Sequence, residues 1–291
     1  MKIIVGIATA GRAPVLAETL RDLAHQRRQP DEVVVCAPSE EDMAGAADAY
    51  AGVRLMTGPR GLTRQRNAII AAVPDADVVM FFDDDFLADA DYLSAVERCM
   101  QANERVVVAT GTVLADGING PGLSVAEGRA ILAARGHETA PPDARPVFTG
   151  YGCNMALRLG PMRAHGLTFD ERLPLYGWQE DVDLSRRLAA HGDVVLLADA
   201  RGVHLGVKRG RGSGVRLGYS QVANPLYIAA KGEGYPRSRA WNHIIRNLMA
   251  NTAKALRPEP YVDRRGRLVG NMLAFRDLVR GQISPERASL L

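Results

Sequence analysis

Three consecutive carboxylates, Asp83-Asp84-Asp85, directly follow the apolar run from Val78 to Phe82. Carboxylates a few ångströms apart repel each other by roughly a few kcal/mol, so a folded chain needs a cation to compensate them. Successive side chains at a strand end alternate in direction, and we therefore expect Asp83 and Asp85 to point one way and Asp84 the other. The cluster indicates a divalent metal that carries a phosphorylated ligand; the alternative is a solvated acidic turn.

His204 supplies an imidazole that could complete this metal site. Carboxylate oxygens with one imidazole suit Mg²⁺ or Mn²⁺, and the imidazole favours Mn²⁺. A single histidine ahead of a glycine-rich loop can equally be an exposed residue. Asp83–Asp85 with His204 is therefore a hypothesis for a metal site.

The adjacent acids Glu180 and Asp181 stand where a helix is expected to begin. A carboxylate near a helix N-terminus is stabilised as the anion and held in place. Such an anion could accept a proton from a sugar or alcohol hydroxyl, as a general base does. The alternative is that the two acids only cap the helix.

Two stretches carry cations that could bind a phosphorylated ligand. The glycine-rich loop 208–214 could wrap a pyrophosphate with its amides and cations, or it could be a solvated flexible loop. Arginines in the first turn of a predicted helix oppose the helix dipole, so they need a partner such as a phosphate or Asp83–Asp85. The residues are Lys208, Arg209 and Arg211 in the loop and Arg64, Arg66 and Asn67 in the helix.

The apolar runs predict a parallel α/β sheet that would position these residues. The runs are too continuous for half-exposed strands, and helical stretches separate them, as in right-handed βαβ units. The strands are expected at Ile3–Ala8, Glu32–Ala37, Val53–Met56, Val78–Phe82, Val106–Thr110, Asn154–Leu157 and Val194–Leu197. Ligands bind beyond the carboxyl ends of such strands. This rule places Thr9–Arg12, Ala37–Ser39 and Asp83–Asp85 on one rim.

The remaining pattern predicts helices, including three after the glycine-rich loop. The expected ranges are 14–28, 43–50, 63–74, 89–103, 125–134, 180–191, 218–231, 239–256 and 270–281. The helix at 239–256 carries several apolar residues on one face. The segment 116–145 is rich in Gly, Pro and Ala, and we expect either a mobile insertion over the site or a surface loop.

Charge is distributed unevenly along the 291 residues, whose net charge is +3. Residues 1–200 contain 19 basic and 28 acidic residues, a net −9, whereas residues 201–291 contain 17 basic and 5 acidic residues, a net +12. A basic end suits phosphates or an anionic lipid surface. No nucleic-acid-binding motif accompanies it, so nucleic acid is not expected as a partner.

Cysteine usage and hydropathy bear on the compartment. Cys36, Cys99 and Cys153 are far apart and in no metal-ligand spacing, so we expect free thiols in a reducing compartment. The N-terminus enters a strand pattern without the features of a signal peptide. No run of about 18 apolar residues occurs, so no transmembrane helix is expected. We therefore expect a cytoplasmic protein, with the inner membrane face as a further location.

Taken together, six segments resemble the family 2 glycosyltransferases of the GT-A fold, over about two-thirds of the chain. Each segment alone is a weak signal, but they occur in the family's order and spacing. The segments are Val5–Arg12, Gly61–Asn67, Phe82–Asp85, Gly152–Ala156, Glu180–Leu188 and Val203-His204. The resemblance implies an α/β fold with a Rossmann-like, mostly parallel central sheet flanked by helices, and a C-terminal helical extension follows it.

The resemblance also implies a nucleotide-sugar donor, a Mn²⁺ or Mg²⁺ ion, and displacement at the anomeric carbon with inversion. By position, Asp85 and His204 would ligate the metal and Asp83 would contact the nucleoside ribose. Asp181 matches the family's catalytic base, and Glu180 would support it or touch the acceptor. The other residues assigned to the nucleotide sugar are Thr9, Ala10, Arg12, Arg66, Asn67, Asp84, Asn154, Lys208, Arg209 and Arg211.

The stretch Val35–Ser39 departs from the family pattern. The family commonly has an acidic residue just after the second strand that helps to recognise uracil, and this chain has none there. UDP remains the favoured nucleotide of the donor, with GDP and dTDP as alternatives.

We therefore predict a metal-dependent inverting glycosyltransferase of surface polysaccharide or exopolysaccharide synthesis, with a catalytic domain at 1–217 and a basic helical extension at 218–291. The acceptor would be a saccharide or a polyprenyl-diphosphate-linked oligosaccharide. The extension would contact a membrane, the acceptor or a second copy in a homodimer.

Two other classes of protein share parts of this pattern. A sugar-phosphate nucleotidyltransferase would have a denser glycine-rich loop with a basic residue than Thr9–Pro14 provides. A non-catalytic carbohydrate-binding protein would have no use for Asp85, Asp181 and His204 together.

Overall fold

The computed structural model describes residues 1–134, 143–208 and 213–291, and within these it contains a nine-stranded mixed sheet. The strands are β1 (Ile3–Ala8), β2 (Glu32–Ala37), β3 (Arg54–Thr57), β4 (Val78–Asp83), β5 (Phe86–Ala88), β6 (Val106–Asp116), β7 (Ala144–Pro146), β8 (Asn154–Arg158) and β9 (Asp193–His204). The helices are α1 (Ala13–Leu23), α2 (Ala46–Ala49), α3 (Leu62–Ala72), α4 (Tyr92–Ala102), α5 (Val125–Ala134), α6 (Leu159–Ala164), α7 (Glu180–Leu188), α8 (Gly214–Lys231), α9 (Arg237–Ala255) and α10 (Arg264–Val279).

The sheet order is β3-β2-β1-β4-β8-β6-β9-β5, and β7 also pairs with β9. The first four strands are mutually parallel, as are β6 and β9. Strand β8 lies antiparallel between β4 and β6, and β5 lies antiparallel to β9. The predicted strands and the parallel βαβ arrangement of the N-terminal part are confirmed, whereas the sequence did not indicate β5, β7 or the antiparallel placement of β8.

Alternate residues of β1 divide the core into two layers. Ile3, Val5 and Ile7 face a cluster that includes α1 and α4, whereas Ile4 faces a cluster that includes α3, α6 and α7. Strand side chains point to opposite faces in turn, so a strand that is apolar throughout must be covered on both sides. The sheet is therefore sandwiched between helices, and its loops at the carboxyl ends of the strands remain available for a site.

The C-terminal helices α8, α9 and α10 pack around a core of their own that includes Tyr219 and Ile244. Helices α8 and α10 approach closely at two glycines. A Cβ at Gly218 would lie 2.0 Å from the carbonyl oxygen of Arg267, and one at Gly270 would lie 2.1 Å from that of Val215. Helix α8 begins at Gly214, so the domain boundary predicted between residues 217 and 218 falls inside a helix.

Gly270→Ala is expected to lower the free energy of unfolding by about 1–3 kcal/mol, because the added methyl group forces two backbones apart. Gly160→Ala is the matched control, since a Cβ there meets nothing within 4 Å and the residue lies in α6. There the change should be neutral or slightly stabilising. Chemical denaturation of both variants measures the effect, and equal stabilities would contradict the close contact.

Candidate functional site

The carboxylate cluster lies at the end of β4, on the rim formed by the carboxyl ends of the parallel strands. Strand register pairs Ala8 of β1 with Asp83 of β4, so Thr9 and the carboxylates are neighbours. Strand β5 then pairs with β9 with Phe86 opposite His204. This pairing brings the histidine beside the cluster although 119 residues separate His204 from Asp85.

One potential ligand atom each from Asp83, Asp85 and His204 lies within 4.8 Å of the others. Asp84 points away from this group, as the alternation of strand side chains predicts. Its carboxylate is fully buried, accepts a hydrogen bond of 2.5 Å from the Thr9 hydroxyl, and pairs with Nη2 of Arg12 at 2.8 Å. Burial raises the pKa of Asp84 to about 7, against the opposing effect of Arg12.

Asp85 is buried but stays ionised. Its Oδ2 accepts a hydrogen bond of 2.8 Å from the Val207 amide and lies 3.3 Å from Nη1 of Arg12, while its Oδ1 lies 3.4 Å from Nε2 of His204. Burial raises the pKa of Asp85, but His204 and Arg12 outweigh it and lower the pKa to about 2. Burial lowers the pKa of His204, but Asp116 and Asp85 outweigh it and raise the pKa to about 10.

The residues fit a divalent cation. Oδ1 of Asp85 is buried and accepts no hydrogen bond within the described chain, and its one charged neighbour is His204 at 3.4 Å. A buried carboxylate oxygen that accepts no hydrogen bond is unusual and is explained when a ligand uses it. Two carboxylates and an imidazole are the donor set that suits Mn²⁺ or Mg²⁺.

Asp116 is a site residue that the sequence did not reveal. It ends β6 opposite His204 of β9, and its Oδ1 lies 2.9 Å from Nδ1 of His204. The hydroxyl of Tyr151 donates a hydrogen bond of 2.8 Å to the other oxygen of Asp116. A carboxylate that accepts from Nδ1–H fixes the orientation of the ring, so that Nε2 of the neutral imidazole would be available to hold a metal. Only the register of β6 against β9 could have identified it.

Arg66 lies buried between the two acidic groups of the site, with 1% of its side chain exposed. Nη2 lies 3.1 Å from Asp83 Oδ1 and donates a hydrogen bond of 2.7 Å to the carbonyl oxygen of Gly152. Nη1 donates a hydrogen bond of 2.7 Å to Oε1 of Glu180. The rings of Phe81 and Phe169 lie 5.3 and 5.4 Å from its guanidinium carbon. The sequence predicted either a phosphate or one of the residues Asp83–Asp85 as the partner of this arginine, and the structure shows Asp83 in that role.

Helix α7 presents Asp181 beside this arrangement. Oδ2 of Asp181 accepts a hydrogen bond of 2.9 Å from the Gly152 amide, and Oδ1 accepts one of 2.8 Å from the Val182 amide. Burial raises the pKa of Asp181. Burial and the neighbouring charge of Asp181 raise the pKa of Glu180 to about 8. The two acids of the motif therefore differ, because only Glu180 pairs with Arg66.

Several predicted site residues form hydrogen bonds with other groups of the protein, and two lie outside the described part of the chain. The Asn67 amide donates to the Phe169 carbonyl and accepts from its N–H. Asn154 is fully buried and its amide is bonded to Thr110 and Gly111. Lys208 donates to two carbonyls of the turn after β6, and Ala10 is half-buried on the rim. Arg209 and Arg211 lie outside the described residues.

Arg66→Met is expected to lower the free energy of unfolding by about 3–5 kcal/mol, because it leaves two carboxylates without their buried partner. Arg64→Met is the control: Arg64 is 52% exposed and lies 3.6 Å from Glu171, so we expect a change within about 0.5 kcal/mol. Adding Glu180→Gln to Arg66→Met should restore part of the loss. Denaturation curves test this, and similar losses in both arginine variants would refute the bridging role.

A family model described as glycosyl transferase family 2 matches residues 4–159. A comparison with curated proteins finds no match. Among solved structures, the chain is similar to the mannosyltransferase PcManGT from Pyrobaculum calidifontis in complex with GDP-Man and Mn²⁺, with a TM-score of 0.58 and 16% identity over 99% of this chain and 86% of that one.

Two further structures are similar at 14% identity over 99% of this chain. One is S. aureus TarS 1–349 in complex with UDP, with a TM-score of 0.56 and 89% of that chain covered. The other is GalNAc-T7 with UDP, GalNAc and Mn²⁺, with a TM-score of 0.57 and 56% of that chain covered.

Proposed function

The chain belongs to glycosyl transferase family 2 and has the GT-A fold, and on that premise we propose that it is a metal-dependent inverting glycosyltransferase. It would move a sugar from a nucleoside diphosphate to an acceptor hydroxyl. The observation that carries the proposal is the convergence of Asp83, Asp85 and His204 within 4.8 Å on the same rim as the half-buried Asp181. Arg66 joins the two groups.

In this proposal Asp85 and His204 hold the metal, with Asp83 beside them on the nucleoside side. A bound Mn²⁺ or Mg²⁺ would neutralise part of the negative charge that develops on the departing diphosphate. Asp116 orients the His204 ring, and the Val207 amide orients Asp85. The convergent contacts fix both ligands before any cation enters, which lowers the ordering cost of binding.

Asp181 is the proposed general base. Its two backbone N–H partners fix the carboxylate, and its raised pKa makes it a better proton acceptor near neutral pH. The acceptor hydroxyl passes its proton to Asp181 while its oxygen attacks the anomeric carbon. The bond from that carbon to the diphosphate breaks, and the configuration inverts. Glu180 stays with Arg66 and supports the helix end.

We assign Thr9, Ala10 and Arg12 to the lining of the nucleoside pocket. Arg12 is 22% exposed and lies on Asp84 and Asp85, so it can turn towards a diphosphate without unfolding the rim. Asp84 fixes this loop through Thr9. Lys208, Arg209 and Arg211 would also contact the diphosphate. A direct nucleotide contact by Asn67 or Asn154 would require each to leave its present partners.

UDP is the donor nucleotide that we favour. At the end of the second strand, however, Cys36 and Ala37 occupy positions near which the family commonly has an acidic residue that recognises uracil. Two of the similar structures contain UDP and one contains GDP-Man. These ligands are properties of those proteins, so GDP stays an alternative nucleotide for this chain. The acceptor would be a saccharide or a polyprenyl-diphosphate-linked oligosaccharide in polysaccharide synthesis at the cytoplasmic face of a membrane. Residues 1–217 would catalyse transfer, and 218–291 would contact membrane, acceptor or a second copy.

Asp181→Asn is expected to leave nucleotide affinity within about twofold and to lower transfer roughly 10²–10⁴-fold, because it removes only the base. Asp193→Asn, at the opposite end of β9, is the control and should retain full transfer. Calorimetry with UDP and Mn²⁺ measures binding, and a nucleotide-release assay with candidate acceptors measures transfer. Transfer that survives in Asp181→Asn would exclude this residue as the base.

Mn²⁺ is expected to strengthen nucleoside diphosphate binding to the native chain, and Asp85→Asn should abolish that gain. Asp116→Asn should lower Mn²⁺ affinity about tenfold, because His204 loses the partner that orients it. A thermal-shift series of UDP, GDP and dTDP with and without Mn²⁺ measures these effects, since ligand binding raises apparent stability. A metal-independent shift in the native chain would argue against the proposed metal site.

A further inference from the structure

Helix α9 carries an apolar stripe that the protein does not cover. Trp241, Ile245, Met249 and, just past the helix end, Leu256 are 40%, 51%, 66% and 83% exposed. Residues four apart lie on one helix face, and at about 100° per residue all four positions fall within an arc of about 80°. A different side of α9, centred about 120° from the middle of this arc, is anchored in the protein by Ala240, Ile244 and Asn251, which are buried. The stripe is therefore a helix face without a partner in the described chain.

The surroundings of this stripe are strongly basic. Helix α9 contains four cationic residues and no acidic residue. Helix α10 also contains four cationic residues, and its single acid, Asp277, is buried and pairs with Arg287. Among the residues that the structure describes, five exposed arginines of this region have no ion-pair partner. They are Arg237, Arg246, Arg257, Arg265 and Arg280.

Two of these arginines flank the stripe itself. Helical geometry places Arg237 about 40° before Trp241 and Arg246 about 60° beyond Met249, so cations border the apolar arc on both sides. On α10, Val269, Met272 and Val279 are 48%, 64% and 89% exposed among further arginines. An apolar face bordered by arginines is the pattern of a helix that lies in the interface of an anionic bilayer.

We propose that α9, with the outer face of α10, docks this protein on an anionic lipid bilayer. The apolar stripe would enter the boundary between headgroups and acyl chains, and the arginines would contact lipid phosphates. The helix would lie on the membrane, since within the described residues no helix has the length and hydropathy needed to cross one. Its 19 residues extend about 28 Å along the surface.

Charge favours a bilayer over a second copy of this chain. A twofold dimer through this face would bring the same unpaired arginines against each other, and like charges across an interface are costly. A negatively charged lipid surface gains from each of those arginines instead. The stripe of large apolar side chains is, in turn, of little use to a nucleic-acid backbone, whose phosphates are bound by cationic and polar groups.

This docking also relates the membrane to the proposed base. Nε2 of Gln179 donates a hydrogen bond of 2.9 Å to Nδ1 of His243 in α9. Gln179 directly precedes α7 and has a left-handed φ of 69°, so α9 contacts the helix end that carries Asp181. If the proposed function holds, a docked α9 keeps the acceptor side near the lipid surface, as a lipid-linked acceptor requires. Lipid binding itself does not depend on that function.

The test is flotation of the full chain, without donor or acceptor, on vesicles of phosphatidylcholine alone and of equal parts phosphatidylcholine and phosphatidylglycerol. We expect binding to the anionic vesicles and at least about tenfold weaker binding to the neutral ones. Ile245→Glu with Met249→Glu should lower anionic binding at least about tenfold with an unchanged thermal midpoint, since both residues are exposed. Leu55→Glu, at a 39% exposed apolar residue of β3, is the matched control and should bind normally.

Three results would overturn the proposal. One is equal binding of the native chain and the glutamate variant to anionic vesicles. In another, the native chain does not bind vesicles but sediments as a dimer, and Ile245→Glu with Met249→Glu dissociates this dimer. That result would assign the stripe to a second copy of the chain. The third is tighter binding to duplex DNA than to vesicles. Transfer activity is measured separately, so loss of lipid binding with transfer intact leaves the catalytic proposal standing.

Discussion

The site depends on one buried cation, the guanidinium of Arg66. It joins Asp83 at the end of β4 to Glu180 at the start of α7, and it also donates a hydrogen bond to the backbone carbonyl of Gly152. A desolvated guanidinium needs acidic partners, and the carboxylates need it in return. This mutual requirement fixes the distance between the proposed metal ligands and the proposed base. The phenyl rings beside the guanidinium exclude water and strengthen the pairing.

The other carboxylates of the rim are balanced by Arg12 and His204. Without a metal, the raised pKa of His204 keeps it protonated at neutral pH, so it acts as the counter-charge of Asp85. A bound metal would need the neutral imidazole, so its binding would release the proton of His204. The three aspartates coexist in this rim because Arg12, Arg66 and His204 balance their charge.

Local patterns were enough to predict seven of the nine described strands, the rim and the direction of each aspartate, because burial and alternation act within a few residues. The meeting of His204 with Asp83 and Asp85 is also confirmed; ligand chemistry suggested it as a hypothesis and the family resemblance strengthened it, whereas no local pattern along the chain indicates it. Asp116 and the pairing of Arg66 with Glu180 could not be predicted, whereas Asp83 was among the partners expected for Arg66. They depend on the register of β6 against β9 and on the placement of α7, which are long-range pairings that no periodicity encodes. The same reason explains why β8 was expected without its antiparallel orientation.

Composition predicted the basic character of the C-terminal part but not how it joins the rest. Helix α8 reaches the loop before α7 through Asn224, whose amide donates to the Trp178 carbonyl, and α9 reaches it through His243 and Gln179. The glycines of α8 and α10 allow these helices to form one rigid support. Without these contacts the start of α7 would be held by Arg66 and the Gly152 amide from the side of the sheet only. Because the C-terminal helices contact that helix end from outside while Arg66 holds it from within, the position of Asp181 depends on both parts of the chain.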